Sequence, residues 1–202
     1  MMKILTKSNF YIFSGGPGGG KTTVLNELSK LNYECIPEVA RAIIKAQHTI
    51  GGNALHTGDR VTYTDLMLKK SVADFIVQSP RNDTVFFDRG IPDLYSYLTQ
   101  YCGGMTTTVA KAIKQYRYSD VVFLFPPWPE IYCHDTERQL DLNEAIKIYH
   151  SVKEAYLING YETINVPNIS VTERIGFILK KINAIESQAP PKPSKDDRSS
   201  GH

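Results

Sequence analysis

Hydrophobic residues in this sequence follow two patterns that alternate along the chain. Five short runs are apolar, aromatic or β-branched almost throughout, as buried strands are; they occupy 10–13, 33–36, 84–88, 120–125 and 161–166. The segments between them space their apolar residues as helices do, at 23–28, 38–47, 63–78, 93–101, 108–116, 142–160 and 171–182. This alternation predicts an α/β fold, a doubly wound five-stranded parallel sheet with helices on both faces.

The glycine-rich segment after the first strand carries the most specific chemical signal. Residues 13–23 read FSGGPGGGKTT and match the phosphate-binding pattern GxxxxGK(S/T) between a strand and a helix. Glycines let successive backbone N–H groups converge on phosphate oxygens. The pattern predicts a P-loop that binds ATP or GTP through Gly15, Gly16, Pro17, Gly18, Gly19, Gly20, Lys21, Thr22 and Thr23. Lys21 is expected to reach the β- and γ-phosphates, and Thr22 to bind Mg²⁺.

Charged residues follow the second and third strands, at the sheet edge where ligands bind in this class of fold. Asp88 ends the third strand and is predicted to hold Mg²⁺ or, alternatively, to cap the next helix. Arg89 would contact the transferring phosphate or pair with Glu38 or Asp93. Glu38 would face the γ-phosphate from the acceptor side, to accept a proton from a hydroxyl or orient it, unless it is a solvated first-turn glutamate. Arg41 would bind an anionic acceptor or neutralise Glu38.

The segment 126–141 lies between the fourth strand and a long helix and is predicted to be a lid over the phosphates. Arg138 is its candidate phosphate ligand, and a surface charge cluster is the alternative. Trp128 and Tyr132 would either wall an acceptor pocket or serve only in packing.

Two other parts of the ligand site are less specified by the sequence. The acceptor pocket is expected between segments 41–65 and 93–118, which carry no pattern that names a substrate. After the fifth strand, Ser170 either lies near the nucleotide base or caps the last helix, with Glu173 at the capping-box position.

Length and composition favour one globular domain. The 202 residues end in a run rich in Pro, Ser and charge, which predicts a P-loop domain over 1–186 and a disordered tail over 187–202. The net charge is +2 and the basic residues are scattered, so no nucleic-acid partner is expected. The three cysteines have no metal-ligand spacing. With no signal-peptide pattern or transmembrane segment, we expect a cytoplasmic protein; the oligomeric state stays open.

Five motifs together resemble those of a family of small AAA-type ATPases whose domain is shared with the TRPL translocation defect protein. They are FSGGPGGGKTT at 13–23, PEVAR at 37–41, FFDRGIPD at 86–93, FPPWPEIY at 125–132 and DTER at 135–138. The resemblance covers nearly the whole chain up to about residue 185. The chain is also similar to the ribosylnicotinamide kinase and deoxynucleoside kinase branch of P-loop proteins. It departs where Gly90 replaces the usual Ser of that branch, and where Cys133 replaces a second basic lid residue of the AAA-type family.

The kinase resemblance implies these roles: Glu38 as acceptor-side base, Asp88 and Thr22 at Mg²⁺, Lys21 and Arg89 at the transferring phosphate, and Arg138 in the lid. The first hypothesis is therefore a kinase that transfers the γ-phosphoryl of ATP to a hydroxyl of a nucleoside-like acceptor. The AAA-type resemblance keeps open a regulatory nucleotide switch or NTPase that acts through a protein or lipid partner, or a domain active only within a complex. Because no second helical subdomain or arginine finger is evident, a ring-shaped remodelling ATPase is not expected.

Overall fold

The computed structural model describes residues 3–131 and 141–188. In these ranges the strands are β1 (Leu5–Thr6), β2 (Phe10–Gly15), β3 (Glu34–Ile36), β4 (Val85–Asp88), β5 (Tyr116–Arg117), β6 (Val121–Phe125) and β7 (Glu162–Asn165). The α-helices are α1 (Lys21–Lys30), α2 (Val39–Ile50), α3 (Arg60–Gln78), α4 (Asp93–Tyr101), α5 (Thr107–Gln115), α6 (Leu142–Ile158) and α7 (Val171–Gln188), and a short 3-10 helix spans Pro129–Ile131.

Five strands form one parallel sheet in the order β3-β4-β2-β6-β7. This confirms the predicted five-stranded parallel sheet. Strand β2 is central, with Phe13 in register with Asp88 on one side and Gly15 in register with Phe125 on the other. The P-loop that follows β2 therefore begins between the carboxyl ends of β4 and β6, where ligands bind in open α/β sheets.

The sheet buries a separate apolar core on each face. Alternate residues of a strand point to opposite faces, so Phe10 and Ile12 join the core beneath α2 to α6, whereas Tyr11 and Phe13 join the core beneath α1 and α7. All four of these side chains are fully buried. Helices thus cover both faces, as the uninterrupted apolar strands predicted.

Several boundaries differ from those predicted. Helix α3 begins at Arg60 rather than residue 63, because the Asp59 carboxylate accepts a hydrogen bond from the Thr62 N–H at 3.0 Å and caps the helix. Helix α7 continues to Gln188, past the predicted end of the helix at residue 182, and residues 189–202 of the predicted tail lie outside the described residues. The parallel pairing of β1 with β5 was not predicted, because two residues in each strand are too few to show a period.

Candidate active site

The P-loop packs closely between β6 and the start of α6. A Cβ at Gly15, where φ is +124°, would lie 2.4 Å from the Phe125 carbonyl oxygen, and a Cβ at Gly16 would lie 2.5 Å from the carbonyl oxygen of Ala145. Because no Cβ fits at either position, glycine is required for this close backbone approach. Gly20, with φ +79°, directly precedes α1. The predicted loop therefore leads into a helix N-terminus, the arrangement that favours phosphate binding.

Lys21 lies in the first turn of α1 with only 8% of its surface exposed. Its Nζ donates a hydrogen bond to the Gly16 carbonyl oxygen at 3.0 Å, across the loop. Burial, reinforced by the positive charge of Arg89, lowers the pKa of Lys21 to about 8, against the opposing effects of three nearby carboxylates, of which that of Asp88 is the largest. The amine therefore lies at the loop, close to the charged residues at the ends of the neighbouring strands.

Asp88 lies at the end of β4, and burial raises its pKa. Its Oδ1 atom is buried and has no hydrogen-bond partner among residues 3–131 and 141–188. The capping alternative does not hold, because the next helix, α4, has Pro92 at its N-cap position. An unpaired buried carboxylate oxygen next to a P-loop is the donor that Mg²⁺ would take. Thr22, in the first turn of α1, is exposed and able to supply a hydroxyl ligand.

Protein side chains alone do not form a metal site in the described part of the chain. No group of three or more His, Cys, Asp or Glu side chains that could hold a metal occurs there. Magnesium at nucleotide sites usually has one or two protein ligands and takes the rest from phosphates and water. One carboxylate and one hydroxyl therefore fit a nucleotide-borne magnesium better than a resident metal ion.

Glu38 immediately precedes α2, and its carboxylate bridges two arginines. Oε1 accepts a hydrogen bond from Arg89 Nε at 2.9 Å, and Oε2 accepts one from Arg41 Nε at 3.0 Å. Burial alone would raise the pKa of Glu38, but the positive charges of Arg89 and Lys21 outweigh it and lower the pKa to about 2. The glutamate is thus largely buried and paired, rather than a free solvated side chain. The alternative in which Arg41 neutralises Glu38 describes the observed contact.

Arg89 is held in an uncommon backbone conformation by contacts on both sides. Its φ is +72°, in the left-handed region that non-glycine residues rarely adopt. The Arg89 N–H donates to the Phe13 carbonyl at 2.9 Å, and its guanidinium pairs with both Glu38 and Asp93. Burial would lower the pKa of Arg89, but Glu38, Asp93 and Asp88 together raise it, so the side chain stays cationic. The structural pairs considered as the alternative for Arg89 are both present.

Asp93 organises this cluster, although the sequence predicted it only as a pairing partner of Arg89. Its Oδ1 accepts hydrogen bonds from Ser14 Oγ at 2.5 Å and Arg89 at 3.0 Å. Its Oδ2 accepts from the Gly90 N–H at 2.9 Å and from the hydroxyl of Tyr156. One carboxylate thereby joins the residue before the P-loop, the residue after Asp88, and helix α6. The sequence did offer a signal for this role, an acidic residue at the first position of the helix that follows the DRG segment at 88–90. Such a residue, however, usually only interacts favourably with the helix dipole.

The remaining predicted residues fall into three groups. Trp128 is half-buried and packs against the guanidinium of Arg174, 4.5 Å from its ring centroid, which is the packing alternative considered for it. Arg138, Tyr132 and Cys133 lie outside the described residues. Ser170 and Glu173 form the predicted capping box, with the Glu173 carboxylate accepting from the Ser170 N–H at 3.1 Å and Ser170 Oγ accepting from the Glu173 N–H at 3.4 Å.

A family model described as AAA domain matches residues 10–174, most of the chain. The chain belongs to the AAA-domain family. No curated protein matches this member of the family in sequence. The predicted resemblance to an AAA-type family is therefore confirmed.

Solved structures similar to this AAA-domain protein include two that are named as kinases. Deoxyadenosine kinase from M. mycoides, with products dCMP and dCDP bound, has a TM-score of 0.55 at 17% identity over 87% of this chain and 99% of its own. NadR in complex with NR has a TM-score of 0.62 at 15% identity over 93% of this chain, which spans only 52% of NadR. Shikimate kinase from Acinetobacter baumannii with shikimate has a TM-score of 0.54 at 14% identity, over 92% and 96% of the two chains. At these identities the likeness shows the fold. No helix in the described part of the chain is long and apolar enough to cross a membrane.

Proposed function

We propose that the protein is a kinase that transfers the γ-phosphoryl of ATP to a hydroxyl of a small, nucleoside-like acceptor. The observation that carries this proposal is the position of the Glu38 carboxylate, which lies at the carboxyl edge of the sheet, close enough to Lys21 and Arg89 for their charges to lower its pKa to about 2. A protein that only binds a nucleotide needs no such carboxylate on the acceptor side of the γ-phosphate. A phosphotransferase does, because the attacking hydroxyl must be oriented toward the phosphorus.

Each residue near the loop has a role in this proposal. Lys21 and the loop N–H groups bind the β- and γ-phosphates. Arg89 stabilises the charge of the transferring phosphoryl group, since its guanidinium stays protonated and presents a planar set of donors. Asp88 and Thr22 would hold Mg²⁺, and the unpaired Oδ1 of Asp88 supports this assignment. The ion, when bound, neutralises charge on the β- and γ-phosphate oxygens.

The pKa of Glu38 defines what this residue contributes. A general base that removes a proton early has a pKa near the working pH, whereas the pKa of Glu38 is lowered to about 2. The transition state of phosphoryl transfer is loose and makes little demand on early proton removal. We therefore propose that Glu38 accepts a hydrogen bond from the acceptor hydroxyl and orients it, and takes the proton only late in the transfer.

The acceptor pocket is proposed on the α3–α4 side of Glu38, in keeping with the segments expected from the sequence. Burial, then Tyr97 and Glu38, raise the pKa of Tyr63, so this tyrosine lies within electrostatic reach of the glutamate. Its ring packs against that of Tyr97, with centroids 5.8 Å apart, and Tyr97 packs against Tyr101 at 5.3 Å. The buried Tyr97 hydroxyl has no hydrogen-bond partner among the described residues. Aromatic faces and a free hydroxyl suit a planar ring with polar edges, such as a nucleobase.

The test is acceptor-dependent formation of ADP from Mg·ATP, with pooled nucleosides, nucleotides and ribosyl compounds. Lys21→Ala removes the phosphate-binding amine, and Glu38→Gln removes the carboxylate with little change in shape. Matched controls are Lys180→Ala and Glu154→Gln, which alter exposed helical residues outside the proposed acceptor pocket. We expect one pool to raise ADP formation and both site variants to lower turnover by about 10²-fold or more, because each removes an interaction with the reacting groups.

Two results would contradict the kinase proposal. ATP or GTP binding without any acceptor effect, and with Glu38→Gln equal to the wild type, would favour the nucleotide switch. An acceptor effect that survives Lys21→Ala would mean that another site carries the activity.

A further inference from the structure

The order of the strands indicates that the two sides of the P-loop would face different parts of the reaction, the acceptor on one side and the base of the nucleotide on the other. Glu38 and Arg89 follow β3 and β4, on one side of β2. The triphosphate occupies the loop itself, so in a kinase the rest of the nucleotide must extend to the opposite side, over β6 and β7. There the loops after the strands contain Trp128 and Asn168. Residues of this base side, defined as Trp128 together with 167–170, are placed to recognise more of a nucleotide than its phosphates.

Arg174, in the first turn of α7, connects the base side to the P-loop. Only 2% of its surface is exposed. One terminal nitrogen donates a hydrogen bond to the Gly19 carbonyl oxygen at 2.8 Å, and the other donates to Asn168 Oδ1 at 3.1 Å. The Nε donates to the Pro167 carbonyl oxygen at 2.9 Å. The guanidinium also lies over the Trp128 ring, 4.5 Å from its centroid. Three chain segments therefore meet on one side chain.

The burial of Arg174 is costly in a way that packing alone does not explain. No salt bridge from Arg174 to a carboxylate is present in residues 3–131 and 141–188, and burial lowers its pKa. Neutral carbonyl and amide oxygens and an aromatic face hold the charge instead. An apolar side chain of similar volume would fill the same space without this desolvation cost. The arginine therefore points to a need for several donors in fixed directions, which a planar guanidinium provides.

The contact with Gly19 has a direct consequence for phosphate binding. The Gly19 carbonyl and the Gly20 N–H belong to one peptide unit, and Gly20 is the residue before α1. A charged donor on the carbonyl polarises the unit, so that its N–H becomes a better donor to an anion. The same guanidinium fixes Asn168 and Trp128 relative to this peptide. Base-side order and phosphate-side donor strength are thus linked through Arg174.

We propose that Arg174 is a positioning residue that couples the base side of the nucleotide site to the P-loop, so that contacts with the base increase the affinity of the P-loop for the triphosphate. This inference rests on the proposed nucleotide site. It predicts that the protein discriminates a complete nucleotide from a bare phosphate chain through Arg174, even though Arg174 itself need not contact either ligand.

The experiment compares the affinity for Mg·ATP with that for inorganic tripolyphosphate, by titration calorimetry at matched Mg²⁺. We expect the wild type to bind ATP at least about tenfold more tightly. In Arg174→Lys, which keeps the charge but loses the planar set of donors, this ratio should fall to about threefold or less. Lys180→Gln, an exposed change on the same helix, is the control and should keep the wild-type ratio.

Asn168→Ala provides a second variant that leaves the buried arginine in place. Asn168 is exposed, so its truncation should not compromise folding. It should also lower the ratio, and the Arg174→Lys/Asn168→Ala double variant should lose little more than Arg174→Lys alone, because the two residues act through one contact.

The possible outcomes separate this inference from the proposed function. Equal weakening of both ligands in Arg174→Lys would show that the arginine acts on the P-loop alone, and unchanged affinities with a lower melting temperature would show a purely structural role; either result overturns the coupling. Additive losses in the double variant would also overturn it. If the wild type binds neither ligand, the nucleotide site itself is wrong and the inference fails with it. ATP binding without acceptor-dependent turnover would overturn the kinase proposal alone.

Discussion

Replacement of Asp93 by Asn is the sharpest test of how the Arg89 side chain is held in place. The Asp93 carboxylate accepts four hydrogen bonds, from Ser14, Arg89, the Gly90 N–H and Tyr156. An asparagine has one oxygen to offer and turns an NH₂ group toward two of these donors. It also removes one of the two carboxylates that pair with Arg89.

The size of the effect follows from the burial of this cluster. Removing one partner of a buried ion pair costs about 3–5 kcal/mol, and the Asp93 side chain is only 10% exposed. Arg89 is 25% exposed and keeps its bond to Glu38, so we expect the lower end, about 3 kcal/mol. For a chain of this length, that loss corresponds to a fall in melting temperature of about 6–12 °C. Tyr156→Phe removes a single donor and should cost about 1–2 kcal/mol.

The assay is urea unfolding of the wild type, Asp93→Asn and Tyr156→Phe, followed by acceptor-dependent turnover of the folded proteins. Asp93→Asn should lose more stability than Tyr156→Phe, and it should lower kcat with little change in ATP affinity, because Arg89 loses its orientation and the P-loop keeps Lys21. A free energy of unfolding within about 0.5 kcal/mol of the wild type would refute the reasoning, since it would mean that the carboxylate is not needed to satisfy these donors.

Three further perturbations test the electrostatics and packing of the site. Burial lowers the pKa of Lys21 to about 8, and bound phosphates favour the charged amine, so ATP binding near pH 8 should be accompanied by uptake of a proton. Calorimetry in two buffers of different ionisation enthalpy measures this proton uptake, and Lys21→Ala should abolish it. The pKa of Glu38 falls from 4.5 when unfolded to about 2 when folded, so its stabilising contribution is complete above pH 4.5 and is lost as the pH falls toward 2; urea titrations should show a shallower loss in Glu38→Gln. A Cβ at Gly90 would lie 2.4 Å from Ile12 Cδ1, so Gly90→Ala should cost about 1–3 kcal/mol, and the same change in an Ile12→Val background, which lacks that methyl, should cost clearly less in thermal unfolding.

The parts of the fold that could be predicted from sequence are those fixed by local patterns. Uninterrupted apolar strands such as Val121–Phe125 can only be buried on both faces, and this alone favours a parallel sheet covered by helices. The P-loop is equally local, because its glycines and Lys21 are adjacent in sequence. The start of α3 was missed although its signal was present, since Asp59 is a common type of N-cap residue just before the helix.

The arrangement of the site could not be predicted in the same way, because it depends on contacts between distant segments. Tyr156 reaches Asp93 across 63 positions, and Arg174 reaches the Gly19 carbonyl across 155. Neither residue belongs to a motif with an established mechanism. A buried tyrosine is usually only part of the core, and a basic residue in an amphipathic helix usually lies on the surface. Only the packing of α6 and α7 against the sheet gives them neighbours in the site.

The two clusters around the P-loop should act independently if the division between acceptor side and base side is real. The Asp93 cluster and the Arg174 cluster share no hydrogen-bond partner among the described residues, and they lie on opposite sides of the central strand. Asp93→Asn should therefore lower kcat and keep the ratio of ATP to tripolyphosphate affinity, whereas Arg174→Lys should lower that ratio. In the double variant, the stability losses should add to within about 0.5 kcal/mol. A larger deviation would mean that the P-loop transmits changes between its two sides, and the clusters would then form one cooperative unit.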